Sequence, residues 1–194
     1  LFTNVPKSNV INAIDVKCVY EIPLIYQKAG LPEIICQHFG MEQRDIDLTD
    51  WQVFLTNRAK AEGEITIAVC GKYVKHQDAY KSVGEALMHA AAGEKKKLNI
   101  KWIDSERSFI ANDLEHELAG IDGILIPGGF GVRGIEGKIA IAQYARERNI
   151  PLLGICLGMQ VMAIEGVRNI GKLNDANSTE FDEMNPNPVI HLME

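Results

Sequence analysis

The stretch Ile150-Pro151-Leu152-Leu153-Gly154-Ile155-Cys156-Leu157-Gly158-Met159-Gln160 carries the reading of the whole chain. Its first six residues form a short apolar run that predicts a strand, and Met159 to Val167 predicts a helix. Between the two stands Gly154-Ile155-Cys156-Leu157-Gly158, a G-x-C-x-G turn. A nucleophile on a sharp strand-to-helix turn sits in strained backbone, and flanking glycines let neighbouring segments approach. The thiol is then held above the strand ends. It also lies at a helix N-terminus, whose partial positive charge favours thiolate relative to a free cysteine of pKa ~8.5. The amide of Leu157, next in the chain, points where an oxyanion would form. A buried structural cysteine in a glycine-rich turn is the other reading, and the turn alone leaves both open.

Upstream, Gly123-Ile124-Leu125-Ile126 is a continuous apolar run that predicts a central strand buried on both faces, and Pro127-Gly128-Gly129-Phe130-Gly131 follows it directly. Adjacent strand ends in a parallel sheet face one crevice, so amides of this second turn can complete an oxyanion hole. The turn lacks the G-x-x-x-x-G-K-[S/T] order of a phosphate loop. A cysteine nucleophile, two amide donors and a pocket between them suit acyl transfer through a thioester. Such a reaction also needs a base, normally an imidazole oriented by a carboxylate. None of His38, His76, His89, His116 and His191 stands in an H-x-E arrangement. His89 and His116 fall on predicted helices, His38 precedes the domain, and His191 is near the end, so the base is expected beyond Glu194.

Further outward the pattern alternates. Glu64 to Cys70 predicts a β-branched strand, Ala79 to Ala92 a helix with Val83, Ala86, Leu87 and Ala90 on one face, Leu98 to Ile103 a strand, Leu114 to Leu118 a short helix, and Ile135 to Arg148 a longer one. That alternation is the signature of a doubly wound α/β domain with a mostly parallel sheet. Before Gly63, which marks a linker, the chain predicts two short helices over Val19 to Phe39, broken at Gly30-Leu31-Pro32. Thr49-Asp50-Trp51-Gln52 is a capping-box pattern opening a helix to about Ala61. The expected domains are residues 1–61 and 62–194.

With 194 residues, 46% apolar and 24% charged, the chain is an ordinary folded one, neither collagen-like nor disordered. A net charge of −6 opposes nucleic acid or an anionic membrane as partner. Lys95, Lys96 and Lys97 follow a predicted helix end and are expected in a solvated loop complementing its dipole. Cys18, Cys36, Cys70 and Cys156 make no C-x-x-C pair and are expected as free thiols. No stretch approaches the ~18 apolar residues of a membrane helix, and no signal peptide opens the chain, which points to a cytoplasmic protein. Leu1-Phe2-Thr3-Asn4-Val5 predicts a strand already under way, as in a fragment.

The paired turns, with Met159 and Gln160, resemble those of class I glutamine amidotransferases, the triad glutaminases. Gly71-Lys72-Tyr73-Val74, Asp78 to Val83, Lys101 to Ser105, Gly128 to Lys138 and Asp175 to Phe181 narrow the resemblance to the CTP synthase family. It reaches the start of the chain, where Leu1 to Val5, Asp15-Val16 and Tyr20 to Pro23 resemble the end of that family's synthetase domain. The resemblance implies that Cys156 attacks the glutamine side-chain amide, that Gly129 and Leu157 supply the oxyanion amides, and that Gly158, Met159, Gln160 and Glu180 belong to the glutamine site. It places Ile14, Asp15 and Val16 along an ATP site, with Ile14 standing where many members carry a basic residue. It further implies a ligase that aminates ATP-activated UTP to CTP with Mg2+, GTP as allosteric activator, CTP as feedback inhibitor, and a homo-tetramer. The phosphate loop and magnesium carboxylates are expected upstream of Leu1, so the fragment alone is expected not to make CTP. The alternatives are another amidotransferase of this fold and a non-catalytic assembly or regulatory fragment. The Asp175 to Phe181 block and the N-terminal tail favour the first reading.

Overall fold

A computed structural model of the chain describes residues 4–74, 77–106 and 111–191. Two compact units are present, Leu1–Lys60 and Ala61–Glu194. In the first, the second of two 3-10 turns (Lys7–Asn9 and Val19–Glu21) runs into helix α1 (Ile22–Lys28), and Gly30 at φ 80° separates it from α2 (Leu31–Phe39). Prolines occupy the first turn of both helices, where a missing N–H costs no helical bond. Tyr20, Trp51 and Phe54 cluster with ring centroids 5.1–6.1 Å apart, and the indole N–H of Trp51 donates to the Tyr20 carbonyl at 2.6 Å. Of the segment expected as an opening strand, Asn4 and Val5 form none, and Leu1 to Thr3 lie outside the described residues.

Helix α3 (Thr49–Ala59) forms, but the capping box does not. Thr49 is already inside the helix. Its N–H donates to the Asp47 carboxylate at 2.8 Å, while the Gln52 N–H takes the Leu48 carbonyl at 2.9 Å. An ionised acceptor two residues earlier makes a charge-assisted bond that a threonine hydroxyl cannot match. Hydrogen bonds from the Thr49 side chain and then its backbone N–H hold the Asp47 carboxyl below its ordinary pKa.

The second unit is built on a four-stranded parallel sheet in the order β2-β1-β3-β4, with β1 (Glu64–Gly71), β2 (Lys97–Asp104), β3 (Gly123–Ile126) and β4 (Leu152–Gly154). Helices α4 (Lys81–Gly93), α5 (Ala111–Glu117), α6 (Ile135–Glu147) and α7 (Leu157–Glu165) alternate with the strands. All four residues of β3 are buried, as a central strand requires. Ile124 and Ile126 pack with Ile139, Ile141, Val161 and Ile164 in the core, where a fully buried aliphatic side chain contributes roughly 1.5–3 kcal/mol. Strand β4 is shorter than the apolar run predicted, because Pro151 has no N–H to add to the ladder. Its carbonyl still accepts the Ile124 N–H at 2.9 Å, and the Ile155 N–H reaches the Ile126 carbonyl at 2.9 Å.

Two expectations shift at α4. Its first turn, Gln77–Tyr80, is 3-10 helix, and the buried residues are Ala91 and Ala92 while Ala86 and Ala90 are exposed. The helix presents its smallest positions to the sheet: a β-carbon on Gly84 would stand 3.6 Å from Ile100 Cδ1. Lys97 is not in the loop but opens β2, where it pairs with Glu64 at 2.7 Å. After α7 a π-helical turn (Gly166–Ile170) leads to a parallel pair absent from the sequence reading, β5 (Asn177–Ser178) and β6 (Pro188–Ile190). No helix among the described residues is long and apolar enough to cross a membrane.

Candidate active site

Cys156 is the N-cap of α7, at φ 53° and ψ −107°, a conformation a residue with a β-carbon rarely adopts. Such strain costs about 1–3 kcal/mol and survives only where the surroundings impose it. Here they do: the Ile155 N–H is held by Ile126, the Gly158 N–H by the Ile155 carbonyl at 2.9 Å, and the Gln160 N–H by the Cys156 carbonyl at 3.2 Å. The flanking glycines have no substitute. A β-carbon on Gly154 would lie 2.5 Å from the Gly158 carbonyl carbon, and one on Gly158 would overlap the Ile126 carbonyl oxygen. The result is an exposed thiol, whereas Cys18 and Cys70 are buried and Cys36 is half-buried. Burial pushes the Cys70 thiol far up, so it stays protonated.

The register Ile126↔Gly154 sets the Pro127 to Gly131 turn beside the Cys156 turn. A β-carbon on Gly128 would stand 3.4 Å from Cys156 Cβ and 4.0 Å from its Sγ. Gly129, at φ 142°, takes backbone geometry that only glycine adopts freely, and Lys72 Cε lies 3.4 Å from its β-carbon position. Leu157 is buried and opens α7, so its amide belongs to the helix's unpaired first turn.

Glu180 lies on the loop after β5, where its N–H is held by Ser178 Oγ at 3.1 Å and the neighbouring Thr179 N–H by the Ile190 carbonyl at 2.9 Å. Its carboxylate accepts the Gly131 N–H at 3.4 Å, which brings an acid 24 residues beyond Cys156 to the glycine-rich turn. Gln160 is half-buried, with its Oε1 buried and without a partner, an orphaned acceptor in the first turn of α7. Met159 is exposed and Gly158 is buried. Gly129 and Cys156 thus lie on two adjoining strand-end turns, Leu157, Gly158 and Gln160 on the first turn of α7 that follows, and Glu180 on a loop bonded to the Gly131 amide.

Ile14, Asp15 and Val16 belong to the first unit, on a segment outside any helix or strand where Ile14 and Asp15 are exposed. An exposed irregular segment does not by itself make a nucleotide pocket. No three His, Cys, Asp or Glu side chains come together to hold a metal ion among the described residues. His38 lies on α2, His89 on α4 and His116 on α5, while His76 lies outside the described residues.

Three residues were given no individual role by the sequence reading. The Lys72 ammonium donates to the Phe130 carbonyl and stands 5.3 Å from the Tyr73 ring centroid. Ser105 and Lys138 are fully buried, and neither Ser105 Oγ nor Lys138 Nζ has a hydrogen-bond partner among the described residues. Lys72 follows β1 directly and Ser105 follows β2, so the position of each after a strand was the available signal.

The family model of class-I glutamine amidotransferases matches residues 75–186. The chain belongs to that family. It is 49% identical to the CTP synthase of Nostoc punctiforme over 99% of its length, and 50% identical to that of a Hydrogenobaculum species over all of it. The chain spans 35% of the length of each. Among solved structures it resembles the glutaminase domain of Trypanosoma brucei CTP synthase with bound acivicin, at a TM-score of 0.63 and 42% identity, covering 67% of this chain and 50% of that one. The amidotransferase fold accounts for the parallel sheet with the cysteine turn at the carboxyl end of β4.

Proposed function

We propose that this chain is the glutaminase-bearing part of a CTP synthase, and that its Cys156 releases ammonia from glutamine for the amination of UTP. The thiolate adds to the side-chain carbonyl carbon, the carbonyl oxygen takes the negative charge, and the amides of Gly129 and Leu157 stabilise it. Collapse breaks the C–N bond, the nitrogen leaves as ammonia after gaining a proton, and a thioester remains on Sγ. Water then releases glutamate and restores the thiol. Glu180 pairs with the glutamine α-ammonium, and the orphaned Gln160 Oε1 accepts a further donor from the substrate. In this reading the imidazole that takes the thiol proton belongs to the portion of the longer relatives outside the matched span. ATP, UTP, Mg2+ and GTP likewise engage that portion, with Ile14, Asp15 and Val16 at its border, in a homo-tetramer subject to CTP inhibition. ATP activates the UTP carbonyl when bound there, and ammonia displaces that activated oxygen.

The observation that carries this reading is the strained, exposed Cys156 turn held against Gly128. Acivicin, bound in the trypanosomal neighbour, is a glutamine analogue, which supports a site of the same preference here. In the full-length enzyme, Cys156→Ala is expected to abolish glutamine-dependent CTP synthesis and leave synthesis from free ammonia intact. Loss of both activities in a folded variant, or no acivicin adduct on wild-type Cys156 by mass spectrometry, would refute it.

A further inference from the structure

The peptide between Phe130 and Gly131 is gripped from both ends by charged side chains. Its carbonyl oxygen accepts from the Lys72 ammonium, and its N–H donates to the Glu180 carboxylate at 3.4 Å. The two grips come from opposite ends of the domain, 58 and 49 residues away in sequence. Lys72 makes a second contact on the same turn: its Cε stands 3.4 Å from the place a β-carbon would occupy on Gly129. Gly129, at φ 142°, lacks the side chain that would oppose rotation of its own amide plane. A turn of four residues with three glycines has no internal means of aiming that N–H at a fixed point, and an oxyanion donor must be held to a fraction of an ångström to be effective.

We infer that Lys72 is a positioning residue for acyl transfer at Cys156, a role that rests on the glutaminase reading above. Its methylenes block the open side of Gly129, its ammonium pins the carbonyl one residue further on, and together they keep the Gly129 N–H aimed at the developing oxyanion. The surroundings hold Lys72 for this task. Its ammonium sits against the Tyr73 ring, and the Arg133 guanidinium, 5.9 Å from that ring's centroid, is itself tied to Glu106 at 3.1 Å. Neither Lys72 nor Phe130 need touch glutamine for this effect. Glu180 couples the arrangement to the substrate, because a bound α-ammonium competes with the Gly131 N–H for the same carboxylate and leaves Lys72 as the remaining grip on that peptide.

The test compares Lys72→Met and Lys72→Arg with wild type in the full-length enzyme. Lys72→Met keeps most of the methylene packing but loses the donor, and is expected to lower the glutamine kcat by roughly 10- to 100-fold, the scale of a misaimed oxyanion donor. KM for glutamine should stay within about threefold, as for a group acting mainly in the transition state. Lys72→Arg should recover most of the rate. Alkylation of Cys156 by iodoacetamide should proceed at the wild-type rate in both variants, because substitution at a saturated carbon develops no oxyanion. The proposal is overturned if Lys72→Met turns over glutamine normally, if its defect lies in KM alone, if alkylation slows in parallel, or if arginine restores nothing. A wild-type enzyme that releases no ammonia from glutamine sinks the glutaminase reading itself, an outcome separate from any of these.

Discussion

Glu180 shows how one residue's chemistry depends on where the chain brings it. In sequence it is an acid in a polar loop, flanked by Asn177, Ser178, Thr179 and Asp182, and nothing local separates it from an ordinary surface carboxylate. In the fold its carboxylate reaches the Gly131 amide, in the neighbourhood of Cys156. A glutamine α-ammonium losing its water needs a matched charge. Glu180→Gln in the full-length enzyme should therefore weaken glutamine use by about 1.5–3 kcal/mol in kcat/KM and leave ammonia-dependent synthesis unchanged. An unaltered specificity constant would return Glu180 to the surface. Cys156 is the opposite case: its glycines and its place between an apolar run and a helix announce the turn in the sequence, because the steric demand is local.

Among the elements, α6 and α7 are joined by more than apolar packing. The Arg146 guanidinium makes a bidentate contact with Glu165 at 2.8–3.2 Å, and Asn169 Nδ2 donates to the same carboxylate at 3.0 Å. The Glu165 side chain is only 5% exposed, so the carboxylate cannot turn to water when its partner is lost. Arg146→Met should lower the melting temperature by several degrees, and by more than Glu165→Gln, which keeps neutral acceptor and donor groups in the same place. A calorimetric scan in which the order is reversed would show that the pair is dispensable. This pairing also explains why the α6 and α7 periods were readable while their contact was not: apolar spacing is a property of each helix, and the Arg146–Glu165 match appears only when they are packed. At α4 the same limit misled the reading, since a helix with alanine on several faces has no stripe strong enough to say which one meets the sheet.

For the molecule as a whole, Lys138 imposes a measurable dependence of stability on pH. Its side chain is fully buried in the first turns of α6. Burial, with the nearby Lys72 ammonium adding to it, lowers its pKa to about 8 from the ordinary 10.5. Below pH 8 both folded and unfolded chains carry the proton, and the folded one bears the full cost of a buried cation, on the order of 3 kcal/mol. Between pH 8 and 10.5 the unfolded chain still binds the proton that the folded chain has released, so this group makes stability rise with pH. Urea unfolding of wild type against Lys138→Met should therefore find the variant more stable at pH 7, with the gap closing toward pH 10. A gap that stays constant or widens over that range would rule out a depressed lysine.

The sequence by itself determined the alternation of strands and helices from β1 to α7, the doubly wound class, and the two glycine-rich turns with Cys156. Each of these follows from neighbours along the chain, through hydrophobic period or through the φ angles that glycine permits. Tertiary structure decided what stands around those turns. Lys72 on the Phe130 carbonyl, Glu180 on the Gly131 amide, the β5–β6 pair, and a lysine sealed in the interior all join residues far apart in sequence. The physical reason is the strand order β2-β1-β3-β4: only when β1 has been inserted beside β3 does the end of one strand come within reach of the turn that follows the other.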